Sequence, residues 1–291
     1  MPPRRRRAMR PAMRRLSPAA PLLLVLVAAA CAAVAPPAPE PPLPYPPAAR
    51  ERMLRIALAE WEEWGRRERA PGSPAAPAPA ENDPANFPRV LAYWRALEDD
   101  KGAVARNRPL YNAALAGRAG AAASLWEEPA WSAAFVGFVL RGAGVDKREF
   151  PADAAHSAYV DALVRDALLF PALAPFVPRE PRSYAPRPGD LVCADRSAAP
   201  VTDWRERAAD RGRFRPMHCD IVVGTEPGAV LAVGGNVGEA VSRTRFPADA
   251  GGYLLPQPPG APVWFAVFEN RLGRLPPWGD NAIPTAGSPP F

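Results

Sequence analysis

The chain has 291 residues, 48% of them apolar, and a formal net charge of +6, which suits one or two globular domains. Its 41 prolines, about 14% against a usual ~5%, concentrate at 36–47, 71–88 and 256–290; the excess belongs to linkers and a tail, and about 170 residues are left for one core. Arg4, Arg5, Arg6, Arg7, Arg10, Arg14 and Arg15 precede the first acid, Glu40, so the high pI is the positive n-region of an export signal, not a nucleic-acid surface.

Residues 21–30 form an apolar run too short to span a bilayer, which fits a signal h-region. The small residues before Cys31 resemble a bacterial lipobox, with Ala28 where a leucine is usual. That resemblance implies lipidation of Cys31; plain cleavage after an alanine near position 30 is the alternative. Met13-Arg14-Arg15-Leu16 offers a second start with a tidier signal. The expected organisation is a signal over 1–31, an Ala/Pro-rich tether over 32–49, a helix and Pro-rich loop over 50–86, the main domain over 87–270, and a Pro-rich, disordered tail over 271–291.

Between Arg50 and Arg69, Met53, Leu54, Ala57, Leu58, Trp61 and Trp64 recur at helical spacing on one face. This predicts a helix docked on the core, or a tryptophan stripe that meets a substrate or partner. Val90–Leu97 and Val104–Ala116 predict two more helices. Residues 128–141 then read as a loop breaking into a buried helix. Pro129 suits a first turn, and almost every residue after Ser132 is small or apolar. Gly142–Gly144 ends this helix, and His156 opens another that runs to about Leu169. Pro188-Gly189-Asp190 turns into a strand over 191–194. A polar, Arg-rich excursion covers 195–216. Strands are expected at 218–224 and 229–234, joined by a Pro227-Gly228 hairpin turn, and at 241–246 and 263–268. Helices followed by an antiparallel meander make an α+β protein.

The buried helix with Ser132 at its start, the 191–194 strand and the strand opened by His218 resemble bacterial cell-wall amidases of the CHAP and NlpC type. Within that group, Phe87 to Leu254 resembles the bacterial family catalogued as domain of unknown function 2272. The resemblance implies a papain-like α+β domain with N-terminal helices packed on an antiparallel sheet. It also implies a nucleophile at the Ser132 position, a base at His218 and a polar orienter at Asn236, acting on peptidoglycan stem peptides. Those enzymes use cysteine where this chain has Ser132. A serine hydroxyl needs concerted removal of its proton and usually an acidic orienter, and Asn236 is neutral. Asp220 lies two residues from His218, hence on the same strand face. Trp131, Asp190 and His156 stand as supporting residues. His156 lines the cleft or serves its helix N-terminus; Ser132 is a nucleophile, a relic or a helix cap.

Cys193 and Cys219 belong to neighbouring expected strands, and an exported chain meets an oxidising compartment; a disulfide between them is the expectation. Cys219 as a substitute nucleophile is the lesser alternative. No metal or other cofactor is expected, because two histidines and two cysteines lack the paired spacing of a zinc site and Gly234–Gly238 lacks the dinucleotide pattern. The expected protein is a periplasm-facing envelope lipoprotein. It is either a wall amidase or peptidase, or a non-catalytic module that binds wall peptides or an envelope protein. An assembly factor docking through its tryptophan-rich helix is a third reading.

Overall fold

The helix that carries Ser132 is buried almost all round, and the fold is built about it. This helix, α4 (Ser132–Gly142), buries Ala133, Ala134, Phe135, Val136, Val139 and Leu140. Gly137 is required there: a Cβ would stand 2.8 Å from Ala152 and 2.9 Å from Leu97. The computed structural model describes residues 38–71 and 81–273. The expected signal with Cys31, and the chain beyond 273, lie outside them. None of the described helices is long and apolar enough to cross a membrane.

Five further helices accompany α4 among the described residues: α1 (Ala48–Glu63), α2 (Phe87–Arg95), α3 (Ala103–Leu115), α5 (His156–Leu169) and α6 (Trp204–Ala209). In α1, Met53, Ala57 and Trp61 are buried against α4 and the sheet. Trp64 is buried too and stacks on Trp131 with ring centroids 5.5 Å apart. The tryptophan stripe is therefore core, which removes the docking-surface reading of that helix: indole rings closed off by Trp131 and the sheet offer nothing to a partner.

Among the described residues, seven strands form one sheet: β1 (Arg67–Arg69), β2 (Phe176–Arg179), β3 (Leu191–Asp195), β4 (Met217–Glu226), β5 (Ala229–Gly234), β6 (Ser242–Pro247) and β7 (Val263–Asn270), in the order β1-β6-β5-β4-β3-β7-β2. Every pairing is antiparallel except β1 with β6. The architecture is thus α+β, with one parallel edge that the expected meander lacked. Alternation sends Cys193, Cys219 and Ile221 into the main core shared with the helices. Val192, Val222, Phe246 and Val267 form a smaller cluster, with Trp264 packed against it.

The Arg-rich excursion is ordered by α6. Asp203 caps it by accepting from the Arg205 N–H. The Arg207 side chain is fully buried and bonds Asp161 at 2.7 Å and the Ser157 carbonyl at 3.3 Å. The excursion thereby grips the first turns of α5.

Candidate active site

Ser132 is the first residue of α4, and Trp131 precedes it as the cap residue without a side-chain cap bond. The first-turn N–H groups of a helix lack intrahelical partners, and the macrodipole favours negative charge there. The Ser132 Oγ does not cap the helix. It lies 2.7 Å from Nε2 of His156, at the start of α5. Both groups are buried, Ser132 at 8% and His156 at 5% exposure. Nδ1 of His156 is hydrogen-bonded to the Tyr159 hydroxyl, one helical turn further on.

His218 is turned elsewhere. Its Nε2 lies 3.0 Å from Oδ1 of Asp220, the pairing that residues two apart on a strand allow. Its Nδ1 is buried without a hydrogen-bond partner among the described residues. The rings of His156 and His218 are 5.2 Å apart, centre to centre. The structure therefore bonds Ser132 to His156 where the sequence suggested His218. The reason is topological: the α4 and α5 N-termini converge, while the β4 carboxylate takes the His218 ring.

Asn236 follows β5 in a left-handed conformation, φ 55°. With its amide oriented to suit its neighbours, its nitrogen donates to Glu81 Oε2 at 3.2 Å and its oxygen accepts from the Trp131 N–H at 3.3 Å. Asn236 thus fastens the entry of α4 rather than orienting His218. Glu81 also accepts from Trp131 Nε1. Burial first, and then the charges of Glu239 and Glu127, push the Glu81 carboxyl up to about 7, against the lowering effect of the Trp131 bond.

Asp190 does different work. Fully buried, it accepts from the N–H groups of Asn270 and Arg187, both at 2.8 Å, and from the Tyr184 hydroxyl at 3.1 Å. It ties the turn before β3 to β7. Cys193 and Cys219, directly opposed on β3 and β4, form a disulfide, so Cys219 has no free thiol to act as a nucleophile.

Electrostatics fix how His156 is used. Burial, and then the charges of His218 and Arg196, hold its imidazole well below the usual range, so it is neutral at neutral pH. Burial, and then the Asp220 charge, push the Tyr159 hydroxyl well above its usual range. Tyr159 therefore stays protonated. In the tautomer that carries its hydrogen on Nδ1, His156 donates to the Tyr159 oxygen and its Nε2 accepts from the Ser132 hydroxyl. A general base requires that tautomer. A cleft of about 280 Å³ opens beside this group, lined by His218, Asp220, Asn236, Arg196, Thr244 and Trp264 among others. Among the described residues, no three His, Cys, Asp or Glu side chains gather in a way that could hold a metal ion.

The family described as "Uncharacterized protein conserved in bacteria (DUF2272)" matches residues 81–269. The chain belongs to this family. No curated protein and no solved structure matches it. The DUF2272 span contains Ser132, His156, Tyr159, His218, Asp220 and Asn236, and it begins at Glu81. Two members of the cluster, Tyr159 and Glu81, were not among the residues expected from sequence. The three-residue spacing of His156 and Tyr159 on one helix was the available signal for the first. Nothing local marked Glu81, whose partner Trp131 is 50 residues away.

Proposed function

We propose that this protein is an envelope acyl hydrolase on a papain-like scaffold, with a serine in the nucleophile position. The observation that carries the reading is the 2.7 Å bond from Ser132 Oγ to the neutral His156 Nε2 at the mouth of α4. In this reading Oγ attacks the carbonyl carbon of an amide while its proton passes to Nε2. The N-terminal turn of α4 faces the developing oxyanion. The imidazolium returns the proton to the leaving amine, and water then releases the acyl group by the same route. His218, held by Asp220, lines the cleft beside this pair. The amidase or peptidase class and the stem-peptide substrate follow from the likeness of the motif order to CHAP and NlpC enzymes. The Cys193–Cys219 disulfide fits an exported, periplasm-facing protein, and lipidation at Cys31 would tether it to the envelope.

Ser132 and His156 are absent from the cleft lining, and a phenol stands where serine hydrolases carry a carboxylate. These two observations favour a second reading, a non-catalytic lipoprotein that holds a wall peptide or envelope protein in the cleft. A fluorophosphonate probe with purified sacculi separates them. Labelling of Ser132 and release of muropeptides, both lost in Ser132→Ala, is the expected result. Retention of wall peptides with neither labelling nor release would establish the binding protein.

A further inference from the structure

We infer that the end of the fold where α5 finishes rests on a lipid surface, an inference that depends on the reading of Cys31 as a lipid anchor. Leu168, Leu169 and Leu173 are 54%, 51% and 51% exposed there, and Leu43 is 63% exposed. Such a group of bare leucines costs solubility unless it is covered. The incoming chain is fastened beside it. Arg148 bonds the Glu40 carbonyl through Nε at 3.0 Å and Asp166 of α5 through Nη1 at 2.6 Å, and its guanidinium lies 5.6 Å from the centre of the Phe170 ring. The Leu43 N–H is bonded at 2.9 Å to the neighbouring Glu149.

The occupant follows from chain length. Glu40 is nine residues after Cys31, and nine residues span at most about 30 Å even when fully extended. A lipid attached at Cys31 therefore holds the leucines within one short tether of the bilayer. Arg165 is exposed one turn before Leu168 and Leu169, where a long basic side chain can reach anionic headgroups while the leucines enter the interface. An apolar patch with a basic flank, beside the anchored end of the chain, matches a phospholipid surface better than a soluble protein.

The test uses the full chain reconstituted into vesicles of phosphatidylethanolamine and phosphatidylglycerol. Leu169→Cys and, as the comparison, Leu115→Cys on α3 carry an environment-sensitive nitrobenzoxadiazole label, and the parent chain supplies the blank. The expected result is a blue-shifted emission at position 169 that is quenched by a lipid-borne spin label, with no change at 115. Vesicle flotation with an unshifted label at 169 overturns the docking surface and leaves the anchor standing. Failure to float overturns both. The mass of Cys31 decides separately whether that residue is lipidated.

Discussion

A Cβ atom on Gly234 would stand 1.7 Å from Oδ1 of Asp220. The Asp220 carboxylate therefore lies directly over the β5 backbone, and only glycine leaves it that room. Gly234→Ala must push the carboxylate away, and with it the His218 ring that it holds at 3.0 Å. Overpacking of this kind costs about 1–3 kcal/mol. We expect a lower unfolding midpoint in urea and displaced imidazole ring resonances of His218 at a fixed pH. Unaltered ring resonances would show that Asp220 does not set that ring.

Tyr159→Phe removes the hydroxyl behind His156 and keeps the ring. Leaving a buried Nδ1 unpaired costs about 1–3 kcal/mol. Freed of its partner, the ring no longer prefers the tautomer that receives the Ser132 proton. Probe labelling of Ser132 should slow by roughly tenfold to a hundredfold, while peptide binding in the cleft stays the same. Equal labelling rates would mean that the phenol plays no part.

Two buried groups should tilt stability in opposite directions with pH. Glu81 has a folded-state pKa of about 7, raised mainly by burial. Between its ordinary value and 7 the folded form holds the extra proton, so its stabilising contribution falls as pH rises through that window. His156 is depressed, again mainly by burial. Below about 6.5 the unfolded chain binds the proton instead, so stability falls as pH drops through that range. Glu81→Gln should remove the first slope and leave a curve that climbs with pH to about 6.5. Chemical denaturation at a series of pH values reads both slopes, and a curve for the Glu81→Gln variant parallel to that of the parent would contradict the Glu81 assignment.

Reduction of Cys193–Cys219 opens a loop with a sequence separation of 26. Loop-closure entropy then stabilises the unfolded chain by about 3–4 kcal/mol. Unfolding with and without reductant should differ by about that amount, and Cys193→Ser with Cys219→Ser should match the reduced protein.

The elements with strong periodic signals were legible before the fold was known: the buried helix at Ser132, the helix opened by His156, and the core strands around Cys193 and Cys219. What escaped had weak or contrary signals. β1 is only Arg67-Glu68-Arg69, polar throughout and paired in parallel at a sheet edge. β2 contains Pro178, which argues against a strand except at an edge, and an edge is where it lies. α6 sat inside a run of charges, though Asp203 followed three residues later by Glu206 is a helix-start signature. At the site, Ser132, His156, His218 and Asp220 were all singled out, and the strand period put Asp220 on the face of His218, where it lies; the pairing of Ser132 with His156 was not foreseen. Which histidine meets Ser132 depends on how two helix ends converge, and hydrophobic spacing carries no record of that angle.

Both helices that meet at the site are packed on the common core: α5 buries Tyr159, Val160, Leu163 and Val164 in the cluster that also takes Phe135, Val136 and Val139 of α4. They differ in what fastens their first turns. The entry of α4 is joined through Trp131 to Glu81 and Asn236, whereas the start of α5 is joined to Arg207 through Asp161 at 2.7 Å and the Ser157 carbonyl at 3.3 Å. The helix end that carries His156 therefore has a remote anchor, 50 residues further along the chain, in an arginine bonded to neither the serine nor the histidine.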